Sequence, residues 1–529
     1  MSFLSLHEVE NTQGTVQLID HGGNLQVKAG TDIVLIPQPN TNDPNDPLTW
    51  PLKKRTMAYY SILMFSGLTN FGISGISPGF EQLAEEFHVS INQLTYLISV
   101  KGLGMAMGCF TIAPFSVRYG KRPVWLCCMT GFFVCHTWAA ASKSYASLLV
   151  ARLLASWFGG MSEPLSLASL NDLFFLHERG TQNGIQALSL SIGNAVAPIV
   201  SGFLIESRGW RWYHWLVVIL AGVNWLLIFF LYPETAYARD LHRSMDAAAV
   251  TRTDVEDKAP KQEGDSKAEF VTVETSNPAT SKRKTFIEGL KPWSGVWEEN
   301  NLLAAYIRPW VVWVYPSFVW GALAFALHVS VIIILISLLP IELGGPPYHF
   351  SVSQLGLTYI AQLIGNLIGC YSCGYLNDVL SQWSARRNDG IFEPEMRLPV
   401  IMIPAIFGPA GILMFGIGVV KQVHWIVPVI GDAFLGVALT GLPSVVQPYL
   451  MDCYYPVSMD ALIAFNGMKN FIFFGIGFAV VPWVELNGLI AVSSILAEML
   501  FVVDSLAIVV HMFGKPLRVR DGKLKIFPF

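Results

Sequence analysis

The sequence predicts an all-α membrane protein of about twelve transmembrane helices arranged as two six-helix bundles. Three observations carry this prediction. Of 529 residues, 53% are hydrophobic and only 14% charged, and mean hydropathy is +0.46. That is too little charge to cover a soluble chain of this length. Apolar runs recur along the chain, each near the roughly 20 residues that a bilayer core requires of a helix. Short motifs also repeat six runs apart, as duplication of a six-helix unit would give.

Residues 1–55 form a polar leader with no apolar core behind a basic start, so no cleaved signal peptide is expected. Apolar runs near 57–78, 92–113, 123–141, 147–169, 184–205 and 213–232 make a first bundle over 56–232. A second set near 311–339, 354–376, 398–419, 425–447, 461–482 and 488–511 makes a second bundle over 310–512. Between them lies a linker, 233–309. Its stretch 238–291 is dense in Asp, Glu, Lys, Arg, Ser and Thr and nearly free of aromatics. Such a segment cannot offset its ordering entropy by burial, and a largely disordered cytoplasmic linker is expected. Residues 513–529 form a tail.

Short-loop Lys and Arg set the expected orientation. Arg118, Lys121 and Arg122 follow span two, Arg179 span four, Arg386 and Arg387 span eight, and Lys515 and Arg518 span twelve. Those loops and both termini are expected in the cytoplasm. The loops at 81–88 and 344–350 hold no Lys or Arg and are expected outside; Arg208 and Arg211, after span five, run against the trend.

The internal repeat aligns without a gap. Gly104, Gly108, Cys109, Phe110 and Thr111 of span two meet Gly365, Gly369, Cys370, Tyr371 and Ser372 of span eight. Gly193 to Pro198 of span five likewise matches Gly477 to Pro482 of span eleven. Two similar bundles can rock about a site near the midplane, opening it to one side at a time. The Gly-x-x-x-Gly spacing in spans two and eight also suits close helix packing.

Ionisable side chains at membrane depth are costly unless paired or wet, which makes them functional candidates. Five stand out: Lys101 in span two, Arg152 and Glu163 in span four, Asp432 in span ten, and Lys469 near the start of span eleven. Glu163 is the leading candidate for a proton-coupling carboxylate; the competing reading is a static ion pair with Lys101 or Arg152. Lys469 either faces a cavity or snorkels to the inner interface. Asn194 is a weaker cavity candidate, as are Asn224 and Gln362, since polar residues in membrane helices commonly bond neighbouring helices. Pro78, Pro164, Pro198 and Pro443 each delete a backbone donor and so break or kink a span.

Several patterns exclude other classes. The seven cysteines lie in apolar stretches, and the Cys370/Cys373 pair lacks the second pair of a zinc site, so packing is the expected role and no metal or cofactor is predicted. Gly75-Ile76-Ser77-Pro78-Gly79 matches a nucleophile elbow as text but ends a membrane span instead of joining a strand to a helix. No G-x-x-x-x-G-K-[ST] occurs, so an ion gradient is the expected driver. No basic block points to nucleic acid, the histidines show no metal spacing, and an enzyme is not expected.

On these residues the chain resembles a major facilitator superfamily transporter over nearly all its length outside the leader and linker. The loop Arg118-Tyr119-Gly120-Lys121-Arg122-Pro123 is similar to the family's signature loop, with Val117 where the family carries an aspartate. Gly374-Tyr375-Leu376-Asn377-Asp378 matches the same motif in the second half, aspartate included. The resemblance implies a gating role for Arg118, Gly120, Lys121, Arg122, Gly374, Asp378 and Arg386. Arg152 sits where the family places an arginine in span four. Gly193, Pro198 and Gly202 resemble the antiporter motif of span five. The segments 46–51, 174–180, 233–235 and 393–398 resemble the fungal drug-proton antiporter branch, which includes multidrug pumps, secondary-metabolite exporters and a polyamine or histidinol importer.

The resulting expectation is a monomeric, proton-coupled exporter of a small organic molecule, in the plasma membrane or alternatively a vacuolar or vesicular one. The alternative is proton-linked uptake of a cationic nutrient such as a polyamine. A non-transporting sensor on the same scaffold is a third reading.

Overall fold

The structure, a computed structural model, describes residues 16–17, 34–37, 39–40, 43–237, 285–293, 295, 302–388, 390–454 and 458–523. Twelve spans are traced in two sets of six. The first set is Leu52–Ser74, Ile91–Tyr119, Lys121–Ala141, Tyr145–Gly159 continued by Ser162–Leu173, Leu176–Arg208 and Trp210–Leu231. The second is Pro316–Gly344, Val352–Gly369 continued through Cys370–Tyr375 and Leu376–Arg387, Met402–Val420, Ile426–Cys453, Ser458–Asn487 and Leu489–Lys523. Nine helices among the described residues are singly long and apolar enough to cross a membrane. The other three spans are the first, which starts on Lys53, Lys54 and Arg55, and the fourth and eighth, which are interrupted.

Both interruptions follow from the sequence. Pro164 has no amide donor, which costs a helix least in its first turn; Pro198 and Pro443, by contrast, lie inside continuous helices. Span four accordingly stops at Gly159 and restarts at Ser162. Ser66 donates its hydroxyl to the Ser162 carbonyl (3.0 Å), and the Thr69 and Ser162 hydroxyls meet at 3.2 Å, fastening the restart to span one. In span eight, Cys370–Tyr375 widens into a π-helical turn, a feature frequent at functional sites.

The repeated glycines do the same work in each half. A methyl group at Gly104 or Gly108 would strike the Leu153 or Trp157 carbonyl of span four, and one at Gly365 or Gly369 would strike the Ala433 or Val437 carbonyl of span ten. The two halves meet along spans two and eleven and along spans five and eight. The leader adds a short strand, Val16–Gln17, antiparallel to Ile391–Phe392 with Val16 opposite Phe392.

The linker expectation meets a difference. Leu302–Val311, placed in 233–309 by composition, is helical and packs on spans two and eleven, with Trp310 stacked on Phe110 at 4.5 Å. Its apolar face has a partner that composition does not reveal. Residues 238–284 lie outside the described residues.

Candidate functional site

The break in span four builds the site. It sets Glu163 in the first turn of a new helix, where the helix dipole favours a carboxylate. The partner comes from the other half. Span eleven begins at Ser458, so Lys469 lies eleven residues in, about 16 Å along the axis. The Lys469 side chain is buried and turned inward, not extended to an interface as the snorkelling alternative had it. Its ammonium forms an ion pair with the Glu163 carboxylate, both side chains 4% exposed, and lies 5.0 Å from the centre of the Phe325 ring.

This pair lines a chamber of about 50 Å³, room for one or two waters. Asn70, Met105, Ser191, Asn194, Asn470 and Phe473 are among the other wall residues, most of which are apolar. Contacts between the halves flank the chamber toward both faces. Toward the face bearing the span-one start and the span-twelve end, Asn183 donates to the Pro443 carbonyl (3.0 Å). Toward the other, Tyr96 stacks on Phe478 at 4.3 Å and the Ser353 amide donates to Glu206 (3.0 Å).

Of the six predicted cavity residues, Glu163, Lys469 and Asn194 line the chamber and Lys101, Arg152 and Asp432 do not. The Lys101 ammonium donates to the Gly72 carbonyl (2.5 Å). The Arg152 guanidinium donates to the carbonyls of Leu97 (2.9 Å) and Ile73 (3.0 Å). Both donate inside the first bundle, to the last turn of span one and, for Arg152, also to span two, and neither pairs with Glu163 as the static alternative had it. Asp432 is buried inside the second bundle. Residue type and span number could not separate these fates, because all three sit at membrane depth on cavity-forming helices and differ only in rotation about the axis. Asn70, Asn470 and Phe325 were missed; adjacency to Lys469 was the available signal for Asn470.

The predicted gate residues divide. Asp378 accepts hydrogen bonds from the Thr181 amide and hydroxyl, both 2.6 Å, joining span eight to the start of span five in the other half. Arg397 bridges Asp378 (3.4 Å) and Asp452 (2.9 Å), while Glu395 holds Arg518 (2.6 Å) and Glu393 holds Lys515 (2.5 Å). The segment 393–398 is therefore a charge clamp. Gly374 faces Gly184 so closely that a methyl there would lie 3.2 Å from its Cα. Arg386 lies in the last turn of the helix Leu376–Arg387.

In the first half, Gly120 turns the chain at φ 91°, and the next two amides, Lys121 and Arg122, both donate to Glu234 (3.1 Å each). The Lys121 ammonium pairs with Asp172 (2.5 Å), and Arg122 donates to the carbonyls of Tyr232 and Phe229. Arg118 lies 5.8 Å from the Tyr119 ring centre. These partners lie in the first bundle and in the segments that follow it, where Arg122 also donates to the Leu290 carbonyl (3.1 Å), whereas the bonds of Asp378 to Thr181 join the two halves. In span five, Gly193 abuts Gly67 of span one, whereas Pro198 and Gly202 abut Gly356 of span eight.

Two helical bundles, paired along two seams around a small, largely apolar chamber that holds a buried ion pair, define a secondary transporter. Residues 62–482 match the sequence model of the Major Facilitator Superfamily, and the chain belongs to that family. An uncharacterized MFS-type transporter of Schizosaccharomyces pombe is 26% identical, covering 94% of this chain and 90% of its own. The MFS-type transporter penM of Penicillium rubens is 29% identical over 88% and 87%, and Protein HOL1 of Saccharomyces cerevisiae 26% over 93% and 91%. Among solved structures, the proton:xylose symporter XylE aligns with a TM-score of 0.59 at 13% identity, covering 88% of this chain and 96% of its own. The human organic anion transporter MFSD10 aligns at 0.55 and 14%, covering 87% and 100%.

Proposed function

We propose that the protein is a proton-coupled exporter of a small organic molecule, with the Glu163–Lys469 pair as the coupling element. The observation that carries this reading is that the pair joins the two halves inside the chamber. Protonation of Glu163 cancels the attraction, frees Lys469 and loosens the halves. A substrate carrying a cationic or carbonyl-rich group competes for the same two partners. Substrate and proton thus exclude each other at Glu163, which is the condition for exchange. Export is favoured by the resemblance to drug-proton antiporters, including Gly193, Pro198 and Gly202. The expected setting is the plasma membrane with both termini cytoplasmic.

Uptake of a cationic nutrient is the second reading, favoured by Glu163 being the carboxylate that lines the chamber among the described residues. Two experiments decide. Flux in proteoliposomes with and without an imposed pH gradient tests coupling, and Glu163→Gln should abolish gradient-driven flux while expression persists; unchanged accumulation would sink the proposal. A deletion strain exposed to toxin and polyamine panels tests direction: sensitivity with higher cell retention means export, and lost uptake means import.

A further inference from the structure

Matching glycine contacts superimpose the halves more finely than the sequence repeat does. Span two meets the Leu153 and Trp157 carbonyls of span four as span eight meets those of Ala433 and Val437 in span ten. One residue before the first carbonyl of each pair stands Arg152 in one half and Asp432 in the other. Three residues before the first glycine of each pair stand Lys101 and Gln362. A cationic pocket in the first bundle therefore has an acidic counterpart at the equivalent place in the second.

The counterparts differ in how they are satisfied. Arg152 and Lys101 donate to backbone carbonyls. Asp432 is fully buried, and neither carboxylate oxygen has a hydrogen-bond partner among the described residues. Around it, the Tyr359 hydroxyl and both amide atoms of Gln362 are also buried and unbonded. No described cation answers the carboxylate. Span nine, packed on it, contains no Asp, Glu, Lys, Arg or His. His328 of span seven faces Asp504 at 3.4 Å, Glu342 lies near the far end of the same span, and Lys469 of span eleven is paired with Glu163. The charged residues of span five, His177, Glu178 and Arg179 at one end and Glu206 and Arg208 at the other, lie near its ends. A carboxylate without a partner in such surroundings is untenable as a bare anion. One carboxylate with a phenol and an amide also offers too few oxygens for an alkali cation, and no group of three His, Cys, Asp or Glu among the described residues could hold a metal.

We propose that Asp432 is a second proton-binding site, walled off from the substrate chamber, and that Tyr359 reports its state to the seam between the halves. Span eight, which carries Tyr359, packs both on span ten, which carries Asp432, and on the turn Ser77–Gly79 that follows span one of the other half. When Asp432 carries its proton, the Tyr359 O–H is free to turn to Ser77 and close that face. When the proton leaves to water, the carboxylate recruits the same O–H and the contact with Ser77 is lost. This rests on the proton-coupled reading above and adds a site to it.

The test uses the purified full chain in nanodiscs, with the proton itself as the probe. Infrared difference spectra between acidic and alkaline buffer should contain a protonated-carboxyl carbonyl band that is lost in Asp432→Asn and retained in Glu163→Gln. Spin labels on the 81–88 and 344–350 loops should report a pH-dependent distance in the wild type. That dependence should vanish in Asp432→Asn and in Tyr359→Phe, the latter keeping the infrared band and so controlling for misfolding. A band unchanged in Asp432→Asn, or loop distances that follow pH in both variants as in the wild type, overturns the proposal. A shift with sodium at fixed pH overturns it in favour of an alkali cation. If pH-gradient-driven flux fails in the wild type while the Asp432 band remains, the coupling reading falls and the proton site stands.

Discussion

Removing one partner of the Glu163–Lys469 pair tests the central geometry most directly. Both side chains are 4% exposed and they come from different halves. Glu163→Gln leaves the Lys469 ammonium buried beside one aromatic ring, and Lys469→Gln leaves the carboxylate equally alone. Breaking a buried pair in this way costs about 3–5 kcal/mol, chiefly because the remaining charge is uncompensated. The double variant removes both charges, and two neutral amides of similar size should bring stability back to within about 1 kcal/mol of the wild type, since polar contacts between membrane helices are worth about that much. The assay is a double-mutant cycle on unfolding in bicelles, read alongside proteoliposome flux. Both singles should lose stability, the double should recover it, and none should show gradient-driven flux. Additive losses would refute the reasoning, because two residues that share one interaction cannot contribute independently.

Asp378→Asn removes charge from bonds to Thr181 and Arg397, each worth about 1.5–3 kcal/mol; interspin distances between the starts of spans five and eleven should lengthen as that face opens. Gly108→Leu and Gly369→Leu should each abolish folded protein on size-exclusion chromatography, since the Trp157 and Val437 carbonyls occupy the added volume. Glu234→Ala strips both amides at the start of span three of their acceptor and should lower stability by about 1 kcal/mol, read by thermal unfolding. At the other face, Arg211 holds the Glu86 carboxyl below its ordinary value of 4.5 by a hydrogen bond. The contact is complete above that value and lost as pH falls through the depressed one, so Arg211→Gln should reduce the acid sensitivity of hydrogen exchange in the short helix Phe80–Phe87 that carries Glu86, Trp210 still donating to the same carboxylate.

The fold was legible because its determinants are local. A run of apolar residues declares a span wherever it packs, and the Gly104/Gly365 register declared the repeat because only a missing side chain permits the carbonyl contacts seen in both halves. Boundaries were less legible. The first span starts at Leu52, ahead of the apolar run, since Lys53, Lys54 and Arg55 continue the helix beyond the hydrocarbon, with Arg55 donating to the Leu173 carbonyl at 2.9 Å. The helix Leu302–Val311 was hidden because its stability comes from packing on Phe110 and its neighbours.

Sequence alone determined that this chain is a two-bundle membrane protein with a handful of charges at membrane depth, because hydrophobic length and the cost of a buried charge are properties of a segment by itself. Only the tertiary structure decided what each charge meets. Lys101 and Arg152 turn to backbone carbonyls, Lys469 crosses to Glu163, and Asp432 meets no donor among the described residues. The physical reason is that a charge in a low-dielectric interior is governed by groups within a few ångströms, and those groups arrive from helices hundreds of residues away in the chain.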